Sequence, residues 1–168
     1  MNSPRRHRTY RTTVLLLVVL GISGCGVYTF NPSGKSDIKT IAVEPFENRT
    51  SEYGLADRLT DVVIDAFIAD GTVKVVPLTG ADAVLEAVLT NYERVVSQFD
   101  ESDQVQTYKV VMNFEVTLRN PRDNSEFWKE QMRQEGIYDA NTQTEEYGQN
   151  AAGAQLVDAI LTKTTKSW

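Results

Sequence analysis

Thiol and imidazole side chains are almost absent from this chain of 168 residues, which has one cysteine and one histidine. Both, Cys25 and His7, lie within the first 25 residues. The rest of the chain therefore lacks the side chains of the usual structural zinc sites and of serine or cysteine triads. Carboxylate-based enzymes stay open, but the acidic residues are scattered singly or in short pairs, and no phosphate-binding glycine loop is present. We expect no catalytic activity, and no metal or other cofactor.

Long apolar runs are also scarce. The one at residues 14 to 22 is too short to span a bilayer core, which takes about 20 residues. A basic segment precedes it, containing Arg5, Arg6, Arg8 and Arg11. A basic segment followed by a short apolar run is typical of an export signal. A retained membrane helix is the weaker alternative.

The apolar run leads into "ISGC" at residues 22 to 25, which resembles the lipobox of bacterial lipoproteins. The resemblance implies cleavage before Cys25, diacylation of its thiol and a lipid anchor. The alternative is an ordinary signal peptide with a stray thiol, although a lone thiol in an oxidising compartment has no disulfide partner. We predict a lipoprotein signal peptide at residues 1 to 24 and a lipidated tether at residues 25 to 37. By family analogy, Gly26 carries no inner-membrane retention signal, which favours the outer membrane.

The charge of the processed chain is strongly negative. Loss of residues 1 to 24 removes four arginines and leaves 13 basic against 23 acidic residues, a net charge of −10. Nucleic acid and anionic membrane surfaces repel such a chain at long range, so we expect neither as a partner. The remaining chain is long enough to bury a core of its own. We expect a single domain at residues 38 to 168.

Hydrophobic spacing predicts a strand, a helix and a strand at the start of this domain. The residues of "IKTIAVEPF", 38 to 46, alternate as in a buried strand, and Pro45 ends it. A helix follows, whose apolar residues at helical spacing are Leu55, Leu59, Val62, Val63, Ala66 and Phe67. Gly71 is expected to cap its C-terminus. The next strand is "TVKVVP".

The segment from residue 82 to 96 is ambiguous. Its apolar residues stand four apart at Val84, Val88, Tyr92 and Val96. This spacing favours a helix, although a strand would place Leu85, Ala87 and Leu89 on one face.

The hydrophobic pattern of the C-terminal half is less ambiguous. Residues 108 to 118 alternate as a long half-buried strand, and "NPRDNS" predicts a turn into a second strand, "EFWKEQMRQEGIY". A final helix follows, for which Thr142 and Glu145 are candidates for a capping box. Trp168 is interpreted as end packing.

In order and wording these segments resemble the LptE family of lipopolysaccharide-assembly lipoproteins. The most specific phrases are "FENRT" after the first strand, "YER" before an acidic loop, and "FW" opening the last strand. The resemblance implies an α/β sandwich in which two helices pack on one face of a mixed four- to five-stranded sheet, in the order β-α-β-β-β-β-α. It also implies that the segment after Ala81 is a strand, against its helical periodicity. A strand with apolar neighbours on both sides can be apolar on both faces.

The resemblance implies a structural function rather than an enzymatic one. Members of this family sit inside the large LptD β-barrel and help it to insert lipopolysaccharide (LPS) into the outer leaflet. The partners to expect are an LptD-type barrel, LPS itself, and the outer membrane through the lipid anchor, with the chain facing the periplasm or the barrel lumen. One alternative is an envelope interaction lipoprotein of the CsgG or LpoB type, whose opening strand, loop and helix are similar. A carboxylate-based envelope hydrolase is the lesser alternative.

Few individual residues stand out for such a function. Cys25 is the predicted lipid attachment site. Some relatives are thought to bind LPS through basic residues near strand ends, and the residues here that match are Arg119, Arg122, Lys129 and Arg133. Such side chains can hold lipid A phosphates, but a solvated charged face is the better interpretation, given the net charge of −10.

Other conspicuous residues are interpreted as structural. Phe46 is expected to pack under the first helix, and Asn48 to make a hydrogen bond in its loop. The aromatic residues Tyr108, Trp128 and Tyr138 are expected to pack against the sheet. The turns around residues 100 to 104 and 119 to 126 are expected to lie against barrel walls through polar contacts.

Overall fold

The computed structural model describes residues 38 to 165. Six strands and two helices follow one another as β1 (Thr40–Val43), β2 (Glu47–Asn48), α1 (Leu55–Asp70), β3 (Lys74–Val75), β4 (Ala83–Phe99), β5 (Val105–Arg119), β6 (Glu126–Asp139) and α2 (Glu145–Thr165). A short 3-10 turn, Leu78–Gly80, precedes β4. The predicted signal peptide, Cys25, the tether and Trp168 lie outside the described residues.

The strands form one mixed sheet in the order β3-β1-β4-β5-β6, with the short β2 beside β4. β1 runs parallel to β3 and to β4, since α1 carries the chain back between β1 and β3. β4, β5 and β6 form an antiparallel meander. The predicted order β-α-β-β-β-β-α is confirmed, with the two-residue β2 as an addition.

Both helices lie on the same face of the sheet, as predicted. α2 packs along β6 and β5 and contacts α1. The side chains enclosed between helices and sheet form one core. Its largest fully buried members include Leu55, Phe67, Leu85, Leu89, Phe114, Leu118, Leu156 and Ile160. Those on β4 and β5 are alternate residues of each strand, so the helices cover one face of the sheet, whereas the other face, which we call the open face, has no helix on it among the described residues.

Residues 83 to 99 form a strand, as the family resemblance implied and as the helical spacing did not. Leu85, Ala87 and Leu89 face the helices and are buried. Val84 points to the other face and is also fully buried, where it packs with Ala42 and Ala81. Because apolar side chains cover both faces at this end of β4, the period of two was obscured in the sequence.

Gly71 ends α1 in the left-handed conformation at φ 69°, as predicted. Two other predictions about helix residues are wrong. Val62 is 45% exposed, because it lies on the solvent side of α1. Thr142 does not cap α2, since its hydroxyl donates to Asp139 and the helix begins only at Glu145.

Candidate functional site

Arg119, the first of the predicted LPS contacts, is the last residue of β5. Its guanidinium binds other side chains of the domain. Its Nε donates to Glu86 at 2.5 Å, and a terminal nitrogen lies 3.6 Å from Glu44. Its other terminal nitrogen donates to the Asn124 side chain at 3.0 Å. The guanidinium therefore joins the end of β1, the start of β4 and the β5–β6 turn.

Arg122, in the same turn, is the most accessible of the four, with a side chain that is 79% exposed. Its nearest carboxylate, that of Asp82, is 3.6 Å away. The Asp82 carboxylate already accepts hydrogen bonds from the Thr40 hydroxyl at 2.9 Å and from the backbone N–H groups of Lys39 and Thr40. These bonds, the Thr40 hydroxyl first, lower the pKa of Asp82 below its ordinary value.

Lys129 and Arg133 lie on β6, on the open face of the sheet, opposite the helices. Lys129 lies 2.9 Å from Glu115 of β5, and this bond raises the pKa of Lys129. Arg133 pairs with Glu135, which also binds Lys109 of β5 at 3.0 Å. The open face therefore carries several ion pairs between neighbouring side chains. Each ion pair stabilises the fold little while it stays solvated.

The structure does not bring the four basic residues into one cluster. Arg119 and Arg122 lie at the β5–β6 turn, whereas Arg133 lies opposite Asn113 in the middle of the sheet. Each of the four has a carboxylate within 4 Å, so a lipid phosphate would have to compete with that carboxylate. Direct contact with LPS stays a prediction.

The two turns that were expected to touch barrel walls lie at opposite ends of β5. This strand has 15 residues, which at about 3.3 Å per residue gives roughly 50 Å. The described chain starts at the end that holds the 119–126 turn, because Thr40 at the start of β1 binds Asp82 just before β4. We call this the proximal end, and the end that holds residues 100 to 104 the distal end. One patch of a partner cannot contact both turns.

A polar network joins both helices to the sheet near the helix N-termini. The Tyr92 hydroxyl of β4 donates to Glu145, and Gln149 donates to the same hydroxyl at 3.0 Å. Arg58 of α1 donates to Gln149 at 2.6 Å, and Arg94 of β4 donates to Glu145 at 3.2 Å. Burial, and then the hydrogen bond to Glu145, raise the pKa of Tyr92, so its hydroxyl stays protonated at neutral pH.

The aromatic residues beside this network pack as expected. Arg94 lies over the ring of Tyr108, 4.9 Å from its centre. Tyr108 stacks on Tyr138, with ring centres 5.6 Å apart. Tyr138 is buried, and Trp128 packs against the same core. The two tyrosine rings join β5 to β6 beside the network, whereas Trp128 lies opposite Leu118, towards the other end of the sheet.

The "FENRT" loop after β1 has the structural role that was predicted for it. Phe46 is buried, and its backbone N–H donates to Thr60 of α1 at 2.9 Å. The Asn48 amide donates to the Glu52 carbonyl at 2.8 Å, and its oxygen accepts from the Thr50 N–H at 2.9 Å. The loop therefore sets the entry into α1.

Sequence reasoning missed the free hairpin at the distal end. β4 and β5 continue past the helix N-termini, and every residue from 93 to 104 is exposed. The exposed side chains include Val95, Val96 and Phe99. The length of β4 accounts for this hairpin, since the strand spans 17 residues where strands usually have about five or six. So long a strand extends beyond its neighbours.

Three open depressions on the described surface hold at most one carboxylate each. The two carboxylates concerned, Glu115 and Glu135, are both ion-paired. None of the three depressions has the two converging carboxylates that the hydrolase alternative requires.

Residues 38 to 165 contain no group of three or more acidic, histidine or cysteine side chains arranged to hold a metal ion. In the same part of the chain, no helix combines the length and apolarity that crossing a membrane demands.

Three solved structures resemble the fold. Protein XCC0632 from Xanthomonas campestris has a TM-score of 0.56 and 14% identity, over 76% of this chain and 83% of its own. The hypothetical protein CT253 from Chlamydia trachomatis has a TM-score of 0.55 and 11% identity, over 76% of this chain and 96% of its own. A PelC dodecamer from Paraburkholderia phytofirmans has a TM-score of 0.52 and 13% identity, over 76% of this chain and 89% of its own. At these identities the likeness concerns the fold alone.

No curated protein matches this chain. The match to a protein family is more informative. The model of the LptE family, described as lipopolysaccharide-assembly, matches residues 38 to 164. That range takes in every strand and nearly all of the last helix. The chain therefore belongs to the LptE family of lipopolysaccharide-assembly proteins.

Proposed function

We propose that this protein is an outer-membrane lipoprotein, anchored through Cys25, that acts as the structural partner of an LptD-type β-barrel and assists the assembly of LPS into the outer membrane. The observation that carries the proposal is the family match over residues 38 to 164. The "ISGC" phrase at residues 22 to 25 supports the anchor. The protein contributes binding and folding support, and catalyses no covalent chemistry.

The open face of the sheet suits such a partner. The lumen of a large β-barrel is polar and hydrated. On the open face, Lys109 and Glu135 form one ion pair, and Glu115 and Lys129 form another. A face of this kind meets a wet polar wall at little desolvation cost, through many contacts that are each weak.

Contact with LPS itself is a secondary part of the proposal. Arg122 is the first candidate, because its side chain is largely exposed and its carboxylate neighbour is 3.6 Å away. Its guanidinium has the planar donor geometry that suits a lipid A phosphate. Arg119, Lys129 and Arg133 would have to exchange closer carboxylate partners for phosphate oxygens.

The direct test is co-purification. The full-length protein with a C-terminal tag is extracted from membranes in mild detergent, and the proteins bound to it are identified. The matched control is residues 1 to 37 fused to an unrelated tagged domain, which carries the same leader and tether. We expect a large β-barrel with the full-length protein and none with the control. Recovery of a different envelope protein without a barrel would instead favour the CsgG- or LpoB-like alternative.

A further inference from the structure

The distal hairpin, residues 93 to 109, projects from the domain: β6 pairs with its base at residues 107 to 109, and residues 93 to 104 are all exposed. The helices begin at the level of Tyr92, which binds Glu145 at the start of α2 and lies opposite Met112 of β5. Pairing of β4 with β5 continues from there to Phe99 and Val105. The hairpin is therefore a paired arm and not a loose loop, although its register shifts at Gln98, between Val96 and Phe99.

The arm carries apolar side chains on both of its faces. Val95 and Val96 are consecutive, so they point to opposite faces of the strand, and both are exposed. Phe99, near the tip, is 60% exposed. Large aromatic side chains in such positions are frequent anchors of protein interfaces. Apolar surface on two faces suits insertion into a cleft better than contact with a flat wall.

The charges of the arm identify the kind of surface that it fits. At its base, Arg94 and Lys109 are held by Glu145 and Glu135. Between Arg94 and Lys109, residues 95 to 108 contain no basic side chain. The tip contains three carboxylates, which belong to Asp100, Glu101 and Asp103.

This excess of negative charge discriminates between partners. Anionic lipid headgroups, those of LPS included, repel an acidic tip. A protein surface with arginine or lysine side chains attracts it and complements its charge. The proximal end differs, since its β5–β6 turn contains Arg122 beside its acidic residues.

We infer that the distal hairpin docks, with Phe99 as its anchor, into an apolar cleft rimmed by arginine or lysine side chains on the barrel partner. The inference rests on the proposed function and narrows it, because it assigns the specific contact to one end of the domain. The acidic tip guides the approach, and the apolar side chains supply the contact that resists dissociation.

Paired substitutions in the full-length chain, co-produced with the barrel, test the inference. Phe99→Ala removes the anchor, and its control Ile68→Ala alters an apolar side chain on α1 that is similarly exposed. Glu101→Lys reverses a charge at the tip, and its control Glu126→Lys makes the same change at the proximal end. We expect each tip variant to speed dissociation of the detergent-solubilised complex about tenfold or more, and each control to stay within about twofold. Thermal unfolding of the free variants verifies that they are folded.

A photo-crosslinking amino acid at position 99, with position 68 as control, gives a second readout. We expect it to capture the barrel from position 99 and not from position 68. If the wild-type complex forms but the tip variants dissociate like their controls, the hairpin inference is wrong and the proposed function stands. Capture of lipid in place of protein at position 99 also overturns the inference. If the wild-type chain binds no barrel, the proposed function is wrong. The inference that the hairpin docks into a barrel is then wrong as well.

Discussion

Gly136 of β6 and Gly148 of α2 meet backbone to backbone: a Cβ built on Gly136 would lie 1.8 Å from the Gly148 carbonyl oxygen. A Cβ on Gly148 would lie 2.8 Å from the Tyr138 ring. No side chain fits between strand and helix at this point. The two glycines thus allow the first turns of α2 to pack directly against the sheet. This packing brings Glu145 within hydrogen-bonding distance of Tyr92.

Gly136→Ala is expected to destabilise the protein strongly. The added methyl group meets backbone atoms, which cannot move aside as a flexible side chain can, so the helix has to shift. Overpacking of this kind usually costs about 1 to 3 kcal/mol, and we expect the upper part of that range in urea unfolding. The control is Gly80→Ala, where a Cβ meets nothing within 4 Å. Equal stability of the two variants would contradict the close packing described here.

Tyr92→Phe tests the polar network between helices and sheet. The substitution removes the hydroxyl that joins Glu145 and Gln149, and it leaves the buried Gln149 amide short of one acceptor. We expect a loss of about 1 to 2 kcal/mol in the free energy of unfolding. Tyr147→Phe, at an exposed tyrosine of α2, is the control and should change little. A Tyr92→Phe protein as stable as this control would show that the network contributes nothing.

Asp82 should make the stability depend on pH in the acid range. Its folded pKa lies below the ordinary 3.8 because Thr40 and the Lys39 N–H donate to its carboxylate. The ionised form therefore stabilises the fold above about pH 4, and this contribution is lost as the pH falls through the lowered pKa. Urea midpoints measured from pH 5 to 2.5 should fall less steeply for Asp82→Asn than for the wild type. Parallel curves would mean that Asp82 is not coupled to folding.

Cys25→Ala tests the anchor. The variant lacks the thiol that would be acylated, so we expect a larger precursor, uncleaved before residue 25 and held in the membrane by its apolar run. Intact-mass analysis of membrane-extracted protein distinguishes the forms. A wild-type N-terminus anywhere other than residue 25, or a wild-type mass without acyl chains, contradicts the proposed anchor.

Most of the fold followed from local patterns in the sequence. The period of four in α1, with its glycine cap, and the period of two in β5 each describe one buried face, which is the condition under which periodicity is informative. β4 violates that condition, since Val84 is buried on one face and Leu85 on the other. Only the family resemblance predicted that this segment is a strand.

The candidate site was less predictable, for physical reasons. Arg119 and Lys129 can be named from the sequence, but their carboxylate partners Glu86 and Glu115 are fixed by strand register, which is a long-range property. The capping box at Thr142 and Glu145 failed because Thr142 bonds to Asp139 and the helix begins only at Glu145. Glu145 is drawn to Tyr92 and Arg94, more than 50 positions away in the chain.

Depletion of the protein from living cells tests the central claim most directly. Growth with the gene repressed is followed by a heat-modifiability assay of the LptD-type barrel and by labelling of surface LPS. The account predicts a misassembled barrel and reduced surface LPS, both restored by the wild-type protein and by Arg122→Ala, because single polar contacts of this kind are individually weak. Normal barrel assembly with unchanged LPS export would contradict it.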